Sequence, residues 1–118
     1  MPERHHYLFV CYANVDRSPT AEAVCRKIVA ENGLDIEASS AGMSDEATRP
    51  VTKKIADLAD RIFVMEAYMA TEMVDGYGQN PAKIVCLDVL DLYKRNDPSL
   101  AAMLEEKIYR YLAQEGLL

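Results

Sequence analysis

Cysteine is scarce in this chain of 118 residues, which has only Cys11, Cys25 and Cys86. These three contain no Cys-x-x-Cys pair and provide no disulfide framework, so we expect free thiols in a reducing compartment. Their spacing relative to His5 and His6 does not match the usual zinc fingers, and we predict no metal and no cofactor. Any reactive thiol must therefore be identified from its surroundings.

Long hydrophobic runs and an excess of positive charge are also missing. No apolar stretch approaches the roughly 18–20 residues that a membrane span needs, and residues 1–6 lack the longer apolar stretch of a signal peptide. Lys and Arg number 13 against 19 Asp and Glu, for a formal net charge of −6, and no basic patch is present to bind nucleic acid. We therefore expect a cytoplasmic protein that binds neither membranes nor nucleic acids.

Strand-like and helix-like patterns alternate along the chain. Residues 7–10, 36–39, 62–65 and 83–87 are short apolar runs typical of buried strands. Strands separated by helices form a parallel sheet that helices cover on both faces. We therefore predict an α/β fold, a three-layer sandwich with a four-stranded parallel sheet, as one domain over residues 1–118.

Helix signals follow each predicted strand. Ser18 is suited to cap the first helix and Pro19 to occupy its first position, while Gly33 is expected to end it. The later helices are predicted to open at Pro50, to cover residues 67–74, and to begin at Pro98 after an Asp97 cap.

A cysteine, five residues, an arginine and a hydroxyl follow the first strand, and a helix begins at their end. The segment reads Cys11-Tyr12-Ala13-Asn14-Val15-Asp16-Arg17-Ser18. A tight loop between strand and helix turns successive backbone N–H groups inward, which forms a nest for a tetrahedral oxyanion, and the helix adds its positive end. Arg17 can fold back to bind two phosphate oxygens.

The same local field favours a thiolate at Cys11. Cysteines in such settings have pKa values of roughly 3.5–7.5, and we predict that Cys11 attacks phosphorus while Ser18 donates a hydrogen bond to its sulfur. The alternative interpretation is that Cys11 only ends a buried strand, where free cysteine is common.

The opening of the chain resembles the signature of the low-molecular-weight protein tyrosine phosphatase family. The residues that carry this resemblance are Leu8-Phe9-Val10-Cys11-x-x-Asn14-x-x-Arg17-Ser18-Pro19-Thr20-Ala21-Glu22. Residues 40–42 and 62–65 are similar to the second and third strand segments of the family. The polar end of the chain most resembles a short bacterial branch of predicted tyrosine phosphatases.

The resemblance implies a role for each matching position. It makes Cys11 the nucleophile that becomes phosphocysteine, Arg17 the phosphate-binding arginine and Ser18 the hydroxyl that stabilises the thiolate. It makes Asn14 the residue that holds the loop in a strained conformation, with Ser40 as its partner. The other substrate-binding loop positions are Tyr12, Ala13, Val15 and Asp16.

The family also supplies a general acid from a loop near the C-terminus, in a stretch like Val-Pro-Asp-Pro-Tyr. The matching stretch here is Asp88-Val89-Leu90-Asp91-Leu92-Tyr93. We predict Asp91 as the acid, with Tyr93 as a rim aromatic for an aryl phosphate and Asp88 as the reserve.

Four departures from the family pattern bear on these roles. Asp16 stands where many members have a second cysteine, and a carboxylate that pointed into the loop would repel substrate and raise the pKa of Cys11. Ala13 replaces the usual glycine, which matters if the position needs a positive φ. No proline flanks Asp91, and the chain is shorter after Gly42, which predicts a shallower pocket.

The function implied is hydrolysis of phosphotyrosine-like aryl phosphates through a phosphocysteine intermediate. The expected partners are a phosphorylated protein or a small aryl phosphate, with inorganic phosphate or other oxyanions as inhibitors. Three alternatives stay open: an arsenate reductase on the same fold, a phosphate- or phosphopeptide-binding domain that no longer turns over, and a cysteine-phosphorylated carrier domain.

Overall fold

The computed structural model describes residues 5–118 and alternates strands with helices. Residues 1–4, part of the segment in which no signal peptide is predicted, lie outside the described residues. The elements are β1 (His5–Cys11), α1 (Arg17–Asn32), β2 (Ile36–Gly42), α2 (Lys53–Leu58), β3 (Arg61–Val64), α3 (Ala67–Asp75), β4 (Ile84–Cys86) and α4 (Pro98–Gln114). A 3₁₀ turn, Pro81–Lys83, precedes β4. Within residues 5–118, every helix is too short or too polar to cross a membrane.

The four strands form one parallel sheet in the order β2-β1-β3-β4, which confirms the predicted fold class. Strand β2 lies on one side of β1, whereas β3 and then β4 are added on the other side. Because such crossovers are right-handed, α1 covers one face while α2 and α3 cover the other. Helix α4 packs against α1. The connections that leave β1 and lead to β3 therefore lie on opposite faces of the sheet, and a crevice opens between these two parallel strands at the carboxyl edge.

The core lies along the central strands β1 and β3. Phe9 and Phe63 are side by side in register and stack with ring centroids 4.9 Å apart. The rings of Phe63 and of Tyr111, from α4, form a T-shaped pair. The ring centroid of Tyr7 is 5.0 Å from that of Phe63. This burial holds the two strands whose carboxyl ends flank the crevice.

The helix boundaries confirm some of the predicted signals and correct others. Gly33 ends α1 in the left-handed conformation at φ +61°, and the Asp97 carboxylate caps α4 by accepting a hydrogen bond from the backbone N–H of Ser99. The predicted cap at Ser18 and helix start at Pro19 are wrong, because α1 begins two residues earlier, at Arg17, and the Ser18 side chain turns toward the sheet. Pro50 does not open α2 either. It pairs with the end of β2, and Thr52 caps the helix.

Candidate active site

Cys11 is the last residue of β1 and is almost fully buried at the carboxyl edge. Its sulfur lies 3.0 Å from Oγ of Ser18, which is in the first turn of α1. Residues 12–16 connect the two elements, so the loop closes over the positive end of the helix. The predicted loop after the first strand is therefore present, with the sulfur at its base.

Asn14 holds the middle of this loop. Its φ is +55°, a left-handed conformation that asparagine tolerates better than most residues. Its side-chain amide donates to Oγ of Ser18 over 2.9 Å, where the resemblance suggested Ser40 as its partner. Because Oγ of Ser18 accepts this bond, its own proton is left for the Cys11 sulfur or for the Ala41 carbonyl at 3.4 Å.

Three carbonyl groups of the loop point outward, toward residues 43–48. The carbonyls of Cys11, Tyr12 and Ala13 accept hydrogen bonds of 2.9–3.2 Å from the backbone N–H groups of Met43, Ser44 and Thr48. In a planar trans peptide the N–H points opposite to the carbonyl, so the next N–H groups face away from that segment. Ala13 has no positive φ, and its replacement of the usual glycine is therefore free of backbone strain.

Gly42, at the end of β2, permits the close approach of these two segments. A Cβ there would lie 2.6 Å from Cβ of Ala47, 2.7 Å from the carbonyl oxygen of Tyr12 and 2.9 Å from the backbone nitrogen of Asn14. No real Cβ approaches other atoms so closely. Position 42 therefore requires glycine, because there is no room for a side chain between the two segments.

The guanidinium of Arg17 is buried and fixed from one side. Its Nη1 donates to the Glu66 carboxylate and to the Val89 carbonyl, both at 2.8 Å. These two bonds use both protons of Nη1. The Nε–Nη2 edge, the pair suited to bidentate binding of a phosphate, remains on the side where Asp91 lies, with Nε 3.8 Å from Oδ1 of that residue.

Glu66 is a site residue that the sequence analysis missed. It lies two residues after the end of β3 and immediately before α3, and because β3 neighbours β1, the crevice brings it against Arg17. The available signal was a carboxylate placed immediately after the apolar run of residues 62–65.

A small cavity of about 50 Å³ brings the predicted loop and acid residues together. It is lined by Cys11, Tyr12, Ala13, Val15, Asp16, Arg17 and Asp91. Asn14, Ser18 and Ser40 are buried and are not part of this lining.

The two candidate acids face different surroundings. Asp91 is exposed and lines the cavity that contains Cys11. Asp88 has a φ of +53°, accepts a hydrogen bond from the Cys86 thiol at 3.3 Å, and lines a separate cavity beside α4. Tyr93 is half-buried and packs against the core outside the cavity lining.

Two other tyrosines are exposed near the sulfur. Tyr12 belongs to the cavity lining, and Tyr68 is the second residue of α3. Partial burial raises the pKa of Tyr68, and the negative charge of Glu66 acts in the same direction. Sequence reasoning did not select Tyr68, because nothing near it in the chain carries the motif.

Asp16 lines the cavity but its carboxylate has a partner. Oδ1 accepts a hydrogen bond of 2.8 Å from the backbone N–H of Arg95, in the loop before α4. Part of its negative charge is therefore directed at a backbone dipole outside the loop of residues 12–16.

Comparison with known proteins identifies the family of the chain. The sequence profile of the family described as "Low molecular weight phosphotyrosine protein phosphatase" matches residues 6–112. The chain therefore belongs to that family of cysteine-dependent protein tyrosine phosphatases, as the opening motif predicted. A search of curated proteins found no match.

Solved structures of the same fold cover nearly the whole chain. A YwlE mutant from Bacillus subtilis is 23% identical, with a TM-score of 0.78 over 95% of this chain and 99% of the other. The tyrosine phosphatase Wzb from Escherichia coli K30, in complex with phosphate, is 18% identical, with a TM-score of 0.76 and the same coverage. Wzb from Vibrio vulnificus, in complex with benzylphosphonate, is 18% identical, with a TM-score of 0.77 and coverage of 95% and 99%.

Proposed function

We propose that this protein hydrolyses aryl phosphate monoesters such as phosphotyrosine, with Cys11 as nucleophile, Arg17 as phosphate ligand and Asp91 as general acid. The observation that supports this most is the shared cavity. The three side chains reach it from the end of β1, from the start of α1 and from the loop after β4.

In the first step the Cys11 sulfur attacks phosphorus opposite the leaving ester oxygen. An S–P bond forms as the P–O bond breaks, and the carboxyl group of Asp91 gives its proton to that oxygen. The Nε–Nη2 edge of Arg17 and the loop N–H groups stabilise the charge on the equatorial oxygens.

In the second step water releases the phosphate. The Asp91 carboxylate takes a proton from the water as its oxygen attacks phosphorus, and the S–P bond breaks. The Ser18 hydroxyl, 3.0 Å from the sulfur, stabilises the thiolate that leaves. Inorganic phosphate is the product.

An aryl substrate suits the surroundings of the cavity. The exposed rings of Tyr12 and Tyr68 provide apolar faces for an aromatic leaving group. The E. coli and V. vulnificus Wzb structures hold phosphate and benzylphosphonate, which supports binding of an oxyanion and of an aryl-bearing ligand here. A phosphotyrosine peptide should therefore be hydrolysed faster than the same peptide carrying phosphoserine.

Hydrolysis of 4-nitrophenyl phosphate in the presence of a chelator tests the proposal. Cys11→Ser should abolish turnover, whereas Cys86→Ser, the same change at an exposed cysteine, should leave it near the wild-type value. Persistent activity in Cys11→Ser would overturn the proposal, and loss of activity with chelator would overturn the metal-free mechanism.

The choice of acid has its own test. Asp91→Asn should slow turnover roughly a hundredfold or more while inhibition by inorganic phosphate is retained. Asp88→Asn is the matched control, because it makes the same change in the same loop outside the cavity. If Asp88→Asn is the slow variant, Asp91 is not the acid.

A further inference from the structure

Residues 87–97 connect β4 to α4 and contain Asp91, and we call them the Asp91 loop. Two side chains at the start of α1 bind the end of this loop that is nearer to α4. Asp16 accepts a hydrogen bond from the backbone N–H of Arg95 at 2.8 Å, and the Thr20 hydroxyl accepts one from Asn96 at 2.9 Å. The same hydroxyl donates to the Asp16 carbonyl at 2.7 Å. The side chain of Thr20 is thus bonded to the backbone of Asp16, and we call the two residues with their bonds to residues 95 and 96 the Asp16–Thr20 latch.

The other end of the loop is tied to the sheet and to Arg17. The Val89 N–H donates to the Met65 carbonyl at 2.8 Å, and the Val89 carbonyl accepts from Arg17. Both attachment points therefore hold the loop against the elements that carry the phosphate-binding residues.

Between these attachments Tyr93 packs against the core, but the residues next to Asp91 have little packing of their own. Leu90 and Leu92, on either side of Asp91, are 60% and 73% exposed. Because few buried contacts restrain the residues beside Asp91, the position of Asp91 depends on the points at which the loop is attached on either side. No proline stiffens it at either side of Asp91.

We propose that Asp16 and Thr20 are positioning residues that hold Asp91 within reach of the leaving-group oxygen. This inference rests on the proposed function. The latch fixes the position of the acid relative to α1, the helix that carries Arg17. The proton donor and the phosphate ligand are therefore both positioned by the same helix. A displacement of about 1 Å in such a group can cost roughly a hundredfold in rate.

The latch is tested through the leaving group. Asp16→Ala and Thr20→Val remove the acceptors of the Arg95 and Asn96 N–H groups. Both should slow hydrolysis of phenyl phosphate, whose poor leaving group needs the proton, about tenfold more than hydrolysis of 4-nitrophenyl phosphate. Inhibition by inorganic phosphate should not weaken, because the ligands of the phosphate are intact.

Conservative variants separate the hydrogen bonds from charge and packing. Asp16→Asn removes the charge but keeps an oxygen acceptor, and Thr20→Ser keeps the hydroxyl, so both should retain the wild-type ratio of the two substrates. Thr52→Val makes the same change as Thr20→Val at the cap of α2 and should also keep that ratio. Adding Asp16→Ala to Asp91→Asn should cause no further loss on phenyl phosphate, because the acid is already gone.

The outcomes distinguish this inference from the proposed function. Wild-type substrate ratios in both Asp16→Ala and Thr20→Val, with folding confirmed by circular dichroism, would overturn the latch while leaving the mechanism in place. Equal ratio changes in Asp16→Ala and Asp16→Asn would also overturn it, because charge alone would then explain the effect. Activity that survives Cys11→Ser would instead overturn the proposed function.

Discussion

Replacing Ser18 with alanine removes the hydroxyl that lies between Asn14 and the Cys11 sulfur. That hydroxyl accepts from the Asn14 amide at 2.9 Å and lies 3.0 Å from the sulfur, and it is fully buried. Since a hydrogen bond to a charged partner contributes about 1.5–3 kcal/mol, losing it should slow the step that regenerates the thiolate by roughly 10- to 150-fold.

Stability should fall as well, for a separate reason. Without the serine oxygen, the buried Asn14 amide loses the acceptor of its hydrogen bond, and an unpaired polar group of this kind costs about 1–3 kcal/mol. Denaturant unfolding of Ser18→Ala would measure this loss. Ser99→Ala makes the same change at the exposed start of α4 and serves as its control.

The assay should resolve the two chemical steps. Rapid mixing with 4-nitrophenyl phosphate should give a burst of nitrophenol in Ser18→Ala, because phosphocysteine forms faster than it breaks down. Mass spectrometry of the quenched reaction should then find the phosphorylated enzyme. If Ser18→Ala shows neither a burst nor a steady rate more than twofold below that of Ser99→Ala, the assignment of Ser18 to the sulfur is wrong.

Gly42→Ala should lower the free energy of unfolding by about 1–3 kcal/mol and impair turnover, because its Cβ would overlap the phosphate-binding loop; denaturant titration checks this, and unchanged stability would contradict it. Glu66→Ala should weaken inhibition by inorganic phosphate about tenfold, since Arg17 loses an anchor, whereas Glu66→Gln keeps an acceptor and should weaken it less. Burial raises the pKa of Cys25 to about 12 and also raises that of Cys86, so both remain thiols at neutral pH. Iodoacetamide should therefore label Cys86 only when the pH is well into the alkaline range. Mass spectrometry of the labelled peptides tests this, and labelling of Cys86 at neutral pH as fast as that of a free thiol would refute it.

Local signals were sufficient where neighbouring residues decide the structure. The four apolar runs predicted the four strands, since buried parallel strands are continuously apolar. Gly33 and Asp97 act on backbone groups within a few residues, and their roles as helix stop and cap are both confirmed. Ser18 is also a residue type that favours the cap position, but its hydroxyl is bonded to the sulfur of Cys11, at the end of the preceding strand.

The sequence by itself determined the α/β fold, the family, and the loop from Cys11 to Ser18, because each depends on patterns that are contiguous in the chain. Only the tertiary structure decided which distant carboxylates reach that loop. Strand order and crossover direction place Glu66 against Arg17, 49 residues away, and bring the backbone of residue 95 to Asp16, 79 residues away. Such contacts leave no local periodicity in the sequence, since they arise when segments that follow different parallel strands meet at the carboxyl edge of the sheet.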